Sequence, residues 1–130
     1  TIGAIGPVKN PLMVAPFSNY GKENVDLFAP GAIIYAPVPS DKYQALSGTS
    51  MAAPAVSGVA AILLSYYPKL SPEAVRKALM ASVVKIDFEL QLGYDRTKTT
   101  LGEISQTGGI VNAYNALLYV SDRQKNLRKL

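Results

Sequence analysis

The chain has 130 residues, a formal net charge of +4, 48% hydrophobic content, no cysteine and no histidine. Its length fits one domain or part of one. Lacking cysteine, it has no disulfide framework and no thiol chemistry. No run reaches the roughly 18 uninterrupted apolar residues of a membrane span, and no charged lead marks a signal peptide. Much of the positive excess sits in Arg123, Lys125, Arg128 and Lys129. These charges suit a solvated helix C-terminus. Without interleaved aromatics they do not make a nucleic-acid face.

In chain order, Thr1 to Val8 is short, apolar and glycine-containing, and reads as a strand of a buried parallel sheet. An N-terminal threonine is a possible nucleophile, but nothing near Thr1 supports that chemistry. Lys9 to Pro16 reads as a loop and Phe17 to Gly21 as a turn, since Asn19 and Gly21 tolerate positive φ. Val25 to Phe28 reads as a strand ended by Ala29-Pro30-Gly31. Ala32 to Pro37 is a further strand, Val38 to Lys42 a loop, and Tyr43 to Ser47 an approach to the next segment.

That segment is Gly48-Thr49-Ser50-Met51-Ala52-Ala53-Pro54, followed by the nearly uncharged run Ala55 to Tyr67. A run so small and apolar predicts a buried helix, with Ser50 at its N-terminus. The free N–H groups and positive dipole end of a helix stabilise an oxygen that becomes negative during reaction. Gly48 allows a tight turn and close approach of a substrate. Thr49 is a candidate cap whose hydroxyl would support the oxyanion site. Ser50 would attack with Oγ and donate its own N–H. Pro54 is tolerated if it belongs to the first turn. Met51 packs beside the serine, where oxidation would place a polar sulfoxide. A serine nucleophile needs a base within hydrogen-bond reach, and no histidine is present to be one. Lys42 and Lys69, the nearest lysines, have no visible cause to be desolvated. Ala52 stands where a Gly-x-Ser-x-Gly elbow would need its last glycine.

Beyond the helix, Ser71 is a good N-cap, with Pro72 and Glu73 favourable in the first turn. Val75, Ala78 and Leu79 give an apolar stripe. Ser82 to Ile86 reads as extended, residues 85–107 as an irregular surface excursion, and Gly109 to Val111 as a strand. Asn112 caps a last helix with Ala116, Leu117 and Val120 on its apolar face, ending in a basic tail over 121–130. Asp87, Glu89, Asp95 and Glu103 match no calcium loop and read as solvated carboxylates, so no metal site is expected.

The segment from Gly48 to Pro54 resembles the nucleophile motif of the subtilisin-like serine proteases, the subtilases. Phe17-Ser18-Asn19-Tyr20-Gly21 and Val25-Asp26-Leu27-Phe28-Ala29-Pro30-Gly31 resemble the stretch that precedes it in that family. Ser57-Gly58-Val59-Ala60-Ala61, Leu70 to Leu79, and Gly108 to Tyr114 resemble the elements that follow. The resemblance is weakest over 85–107 and after residue 120. It implies an α/β fold, the C-terminal part of a subtilisin-like three-layer architecture with a parallel sheet and a buried nucleophile helix. Residues 1–130 would then be the C-terminal portion of a subtilase catalytic domain. Ser50 would be the catalytic nucleophile, with Thr49 and the Ser50 N–H near the oxyanion. Leu46, Ser47, Gly48 and Met51 would lie near the substrate, although Leu46 and Ser47 fit a loop-packing role equally.

In the family a histidine often follows the motif's proline. Ala55 stands there instead, but that histidine is not the catalytic one. Asp26 belongs to the structural Val-Asp block rather than to the triad, and is expected to accept turn N–H groups. The triad Asp and His and the oxyanion Asn would lie upstream of Thr1, so this chain alone is expected to be inactive. The implied partners are a peptide or protein substrate and the N-terminal part of the domain, or an oligomer or swapped assembly covering its exposed faces. No cofactor is expected. Calcium is compatible with the resemblance, but no ligands for it are identified. The resemblance also implies secretion or a cell-envelope location. The competing expectation is a non-catalytic binding or assembly module.

Overall fold

The computed structural model describes residues 1–6, 14–93 and 96–127, with side chains described to residue 125. Most of the loop expected between Lys9 and Pro16 therefore lies outside the described residues. The strands are β1 (Ile2–Ile5), β2 (Leu27–Pro30), β3 (Ile34–Val38), β4 (Lys42–Leu46), β5 (Val84–Lys85), β6 (Leu90–Leu92), β7 (Thr97–Thr99) and β8 (Gly109–Ile110). The helices are α1 (Thr49–Tyr66), α2 (Pro72–Ala81), α3 (Leu101–Ile104) and α4 (Ala113–Leu127). A sheet of order β1-β2-β8-β5 forms the centre, parallel from β1 through β2 to β8, with β5 antiparallel at its edge.

Alternation along β2 builds the layers, because successive side chains leave a strand on opposite faces. Leu27 and Ala29 enter one apolar cluster with Ala52, Val56, Val59 and Leu63 of α1, Val75 and Leu79 of α2, and Ala116 and Val120 of α4. Phe28, between them, points the other way into a second cluster with Ile5, Val14, Val25, Leu90, Leu101 and Ile104. Phe28 lies across Gly3 of β1, where an added Cβ would fall 2.3 Å from the ring. The result is three layers: helices, sheet, and the segment around β6 and α3.

That third layer corrects the expectation for 85–107, which is not an irregular excursion. It holds the β6–β7 hairpin and helix α3, and Leu90 and Leu101 are fully buried. Glu103 closes a capping box on Thr100, accepting its backbone N–H at 2.9 Å. Those hydrogen bonds hold the Glu103 carboxyl below its usual range. Glu89 pairs with Lys98 at 2.9 Å. Asp87 is exposed and Asp95 lies outside the described residues.

Other boundaries shift modestly. The approach to the motif is itself a strand, since β4 pairs with β3 from Ile34–Leu46 to Val38–Lys42. Ser71 caps α2 by accepting the Ala74 N–H at 3.2 Å, and Asn112 Oδ1 accepts the Asn115 N–H at 2.8 Å. Residues 121–127 continue α4 rather than forming a tail, and Arg123 lies over Tyr119, with its guanidinium carbon 5.2 Å from the ring centroid.

Helix α1 is buried along one face only. Ala52, Val56, Val59 and Leu63 pack inward, while Ile62, Leu64 and Tyr66 are exposed. By length and composition alone α1 is long and apolar enough to cross a membrane, although Thr49, Ser50, Ser57 and Ser65 interrupt its apolar run. Its packing on β1, β2, α2 and α4 makes it a core helix of this fold.

Among the described residues, the Asp26 carboxylate is held by charged partners rather than by turn N–H groups. Its carboxylate meets Arg76 at 2.6 Å, tying the start of β2 to α2. Partial burial pushes its pKa up. The hydrogen bond and charge of Arg76 act the other way, and the net shift is downward. A carboxyl lowered on folding contributes stability above its unfolded pKa, and that contribution is lost as pH falls through the folded value. Asp26→Asn should therefore lower stability by about 1 kcal/mol at neutral pH. It should also flatten the acid limb of the stability curve below about pH 4. Urea unfolding across pH measures both.

Candidate active site

Strands β1 and β2 run parallel and end together at Ile5 and Pro30. Open parallel sheets place reactive groups beyond the carboxyl ends of their strands, and the Ser50 turn lies at this edge. The Gly31 N–H donates to the Ile5 carbonyl at 3.0 Å, and the Gly48 N–H donates to the Gly31 carbonyl at 2.8 Å. A Cβ on Gly31 would sit 2.7 Å from the Ala4 Cβ, 2.8 Å from the Gly48 oxygen and 3.0 Å from the Ala52 Cβ. Only a glycine lets the sheet edge and the helix start meet this closely.

Gly48, not Thr49, is the N-cap of α1, and no side chain caps the helix. The Gly48 carbonyl accepts from the Met51 N–H at 3.0 Å and the Ala52 N–H at 3.3 Å. Thr49 and Ser50 are the first two helical residues, so their N–H groups lack intrahelical acceptors. A Cβ at position 48 would lie 3.0 Å from Ser50 Oγ, so the glycine also clears the space beside that hydroxyl. Ser50 is exposed, and its Oγ donates to Met51 Sδ at 3.5 Å, a weak acceptor.

Pro54 is not a first-turn residue. It is the sixth residue of α1, beyond the four free N–H positions. Having no N–H, it leaves the Ser50 carbonyl without its i+4 donor. The turn carrying Ser50 is thus loosened from the helix ladder on one side and is held by its tether to Gly31 on the other.

The remaining expected site residues fall around this turn. Leu46 ends β4, half-buried. Ser47 is exposed, and its Oγ accepts the Ile33 N–H at 2.8 Å. Ile33 has φ 57, in the left-handed region, which costs a β-branched residue roughly 1–3 kcal/mol. On the hairpin, Tyr35 and Tyr43 stack at 5.6 Å, both exposed. Lys42 lies at the far end of β4 from the motif and Lys69 beyond the far end of α1, so neither is a base for Ser50. Asp26 precedes β2 while Ser50 lies past its other end, a separation on the order of 13 Å along the strand. Sequence reasoning missed the Gly31–Gly48 bond and the left-handed Ile33. The legible signal was Pro30-Gly31 after an apolar strand, which marks a close backbone approach.

Among the described residues, no group of three or more His, Cys, Asp or Glu side chains is placed to share a metal ion. The arrangement can present a hydroxyl and free backbone donors to a carbonyl. Among the described residues, that hydroxyl's hydrogen-bond acceptor is Met51 Sδ.

A Gly31→Ala variant should lose about 1–3 kcal/mol through overpacking. The thermal midpoint, read alongside the exchange rate of the Gly48 amide, checks both the loss and its location.

Residues 1–114 match the Subtilase family, peptidase S8. Subtilisin DY of Bacillus licheniformis is 42% identical over 90 residues, 69% of this chain and 32% of that protein. The halolysin-like extracellular serine protease Nep of Natrialba magadii is 40% identical over 89 residues, 68% of this chain and 16% of its own length. The major intracellular serine protease of Bacillus subtilis strain 168 is 42% identical over 90 residues, 65% of this chain and 28% of its own length. Among solved structures, one described as the structural basis of subtilase cytotoxin SubAB assembly aligns with a TM-score of 0.74 at 25% identity, covering 94% of this chain and 36% of that one. The prenylagaramide maturation protease PagA aligns with a TM-score of 0.67 at 30% identity, covering 91% of this chain and 41% of that one. The chain spans about a third or less of the length of these curated relatives. With its three-layer α/β fold and a Gly-Thr-Ser turn at the edge of a parallel sheet, it belongs to the subtilase family.

Proposed function

We propose that Ser50 is the nucleophile of a serine endopeptidase that cleaves peptide bonds through an acyl-enzyme. The observation that carries this reading is the exposed Ser50 hydroxyl on the first turn of α1, beside the free N–H groups of that turn. The hydroxyl attacks the scissile carbonyl while the Ser50 N–H donates to the developing oxyanion. The proton must go to a base, and the chain contains no histidine. In this reading the Asp and His of the triad, and a second oxyanion donor, are supplied by a part of the catalytic domain outside this chain. Loss of triad members costs several orders of magnitude in turnover, so these 130 residues alone should be inert.

The same reading assigns a partner to the outward face of α1. Gly58 has nothing within 4 Å of an added Cβ, and Ala55, Ser57 and Ala61 around it are small and exposed. A face of small residues suits close packing by the rest of the domain, or by an oligomer or swapped copy when that part is absent. Secretion finds support in the extracellular relative Nep, while the intracellular relative from Bacillus subtilis points the other way.

Two experiments test this. In the longer protein, a fluorophosphonate probe should label Ser50 and Ser50→Ala should abolish both labelling and peptide hydrolysis, as read by intact mass and peptide mapping. An unlabelled Ser50 there would favour the non-catalytic binding or assembly module. In a second measurement, Gly58→Ala should stabilise the isolated chain by about 0.5–1 kcal/mol through helix propensity, yet destabilise the longer protein, where the added methyl meets a packed neighbour. Denaturant midpoints of the two pairs give the signs.

A further inference from the structure

We propose that Ser47 is a positioning residue for the Ser50 turn, acting through the strained backbone at Ile33 rather than through contact with substrate. The inference rests on the reading of Ser50 as nucleophile.

The segment 31–33 is tied to 47–48 by two hydrogen bonds. One joins backbone to backbone, from the Gly48 N–H to the Gly31 carbonyl at 2.8 Å. The other runs from the Ile33 N–H to Ser47 Oγ at 2.8 Å. Ile33 holds φ 57, a conformation that a β-branched residue avoids. Its side chain is 65% exposed, so burial does not hold it there. The hydroxyl of Ser47 holds the Ile33 N–H, between the Gly31 bonds on one side and the Ile34–Leu46 pair on the other. If that bond is released, residue 33 relaxes toward extended backbone, the Gly31 carbonyl moves with it, and Gly48, the cap whose carbonyl defines the Ser50 turn, loses its anchor. Because Pro54 leaves the Ser50 carbonyl without a helix donor, the ladder beyond the turn does not compensate.

A displacement of about 1 Å at a nucleophile can cost on the order of a hundredfold in rate. A partial loosening should cost less. Ser47 is exposed, so replacing it leaves the core intact. The test uses the longer protein carrying Ser47→Ala, Ser47→Thr, Ile33→Gly and the double variant Ser47→Ala with Ile33→Gly.

Ser47→Ala should lower kcat about tenfold with KM unchanged, and Ser47→Thr should keep the hydroxyl and the rate. Ile33→Gly in the Ser47→Ala background should restore most of the loss, because glycine adopts positive φ without strain. Amide exchange should report the same pattern without reference to catalysis. Exchange at residues 33 and 48 should speed up in Ser47→Ala, and in the double variant residue 48 should return toward the parent rate while residue 33, its acceptor gone, stays fast. A rise in KM at constant kcat would instead make Ser47 a substrate contact and overturn the proposal. Unchanged exchange at residue 48 would overturn it equally. If the parent protein cleaves no peptide, the protease reading fails while the exchange data still decide the positioning role.

Discussion

The close approach at Gly31 is the constraint on which the rest depends. There the ends of β1 and β2, the N-cap of α1 and Ala52 in its first turns meet within van der Waals limits that exclude a Cβ. The same glycine donates to Ile5 and accepts from Gly48, so one residue hands the direction of the sheet to the start of the helix. The small residues of α1 follow from this. Ala52 is fully buried against the contact, and a larger side chain would lift the helix from β1 and β2, taking Ser50 with it.

The reactive turn is stiff in some directions and open in others. Its anchor is backbone geometry, and its free N–H groups come from the helix start rather than from any special side chain. No side chain caps α1. A capping hydroxyl or carboxylate would occupy the N–H groups that an oxyanion needs, so an uncapped start costs some helix stability and keeps those donors available. Gly48 and Pro54 fit this arrangement. The glycine clears space beside Oγ, and the proline releases the Ser50 carbonyl from the ladder. Pro54 is a poor residue by local helix propensity, and local rules of this kind are most often broken at functional sites.

Much of this was legible in the sequence. Ser71-Pro72-Glu73 and Asn112 announced two helix starts through capping chemistry alone, and the run after Pro54 announced α1. Residues 85–107 were read wrongly because Leu90, Leu101 and Ile104 are isolated apolar residues among polar ones. Their burial depends on Phe28, a partner over sixty positions away in the chain, and no local period records that. The one-sided exposure of α1 was also hidden. Composition signals a helix that avoids water, but it does not say which neighbour covers each face. Asp26 was read as a turn carboxylate, yet its partner Arg76 lies fifty residues on in α2, so the ion pair was invisible in the local sequence.

Within the site, the parts readable from sequence are those whose chemistry is local: a serine, a glycine before it, and a helix behind it. The rest is a matter of how far the backbone can be trusted to hold still. A hydroxyl becomes a nucleophile only when a base removes its proton during attack, and the weak acceptor Met51 Sδ at 3.5 Å does not supply one. In the proposed reading, stabilisation of the oxyanion and activation of the nucleophile are therefore separable. Part of the first, the N–H donors of the Gly48 turn, travels with the chain. The second requires a surface that brings a base to the exposed side of Ser50 and holds it within about 3 Å. The two halves meet productively only if the turn does not move when they dock. In that reading the bonds at Gly31 and Ile33 matter to the reaction although neither carries a proton, because they hold the turn in place.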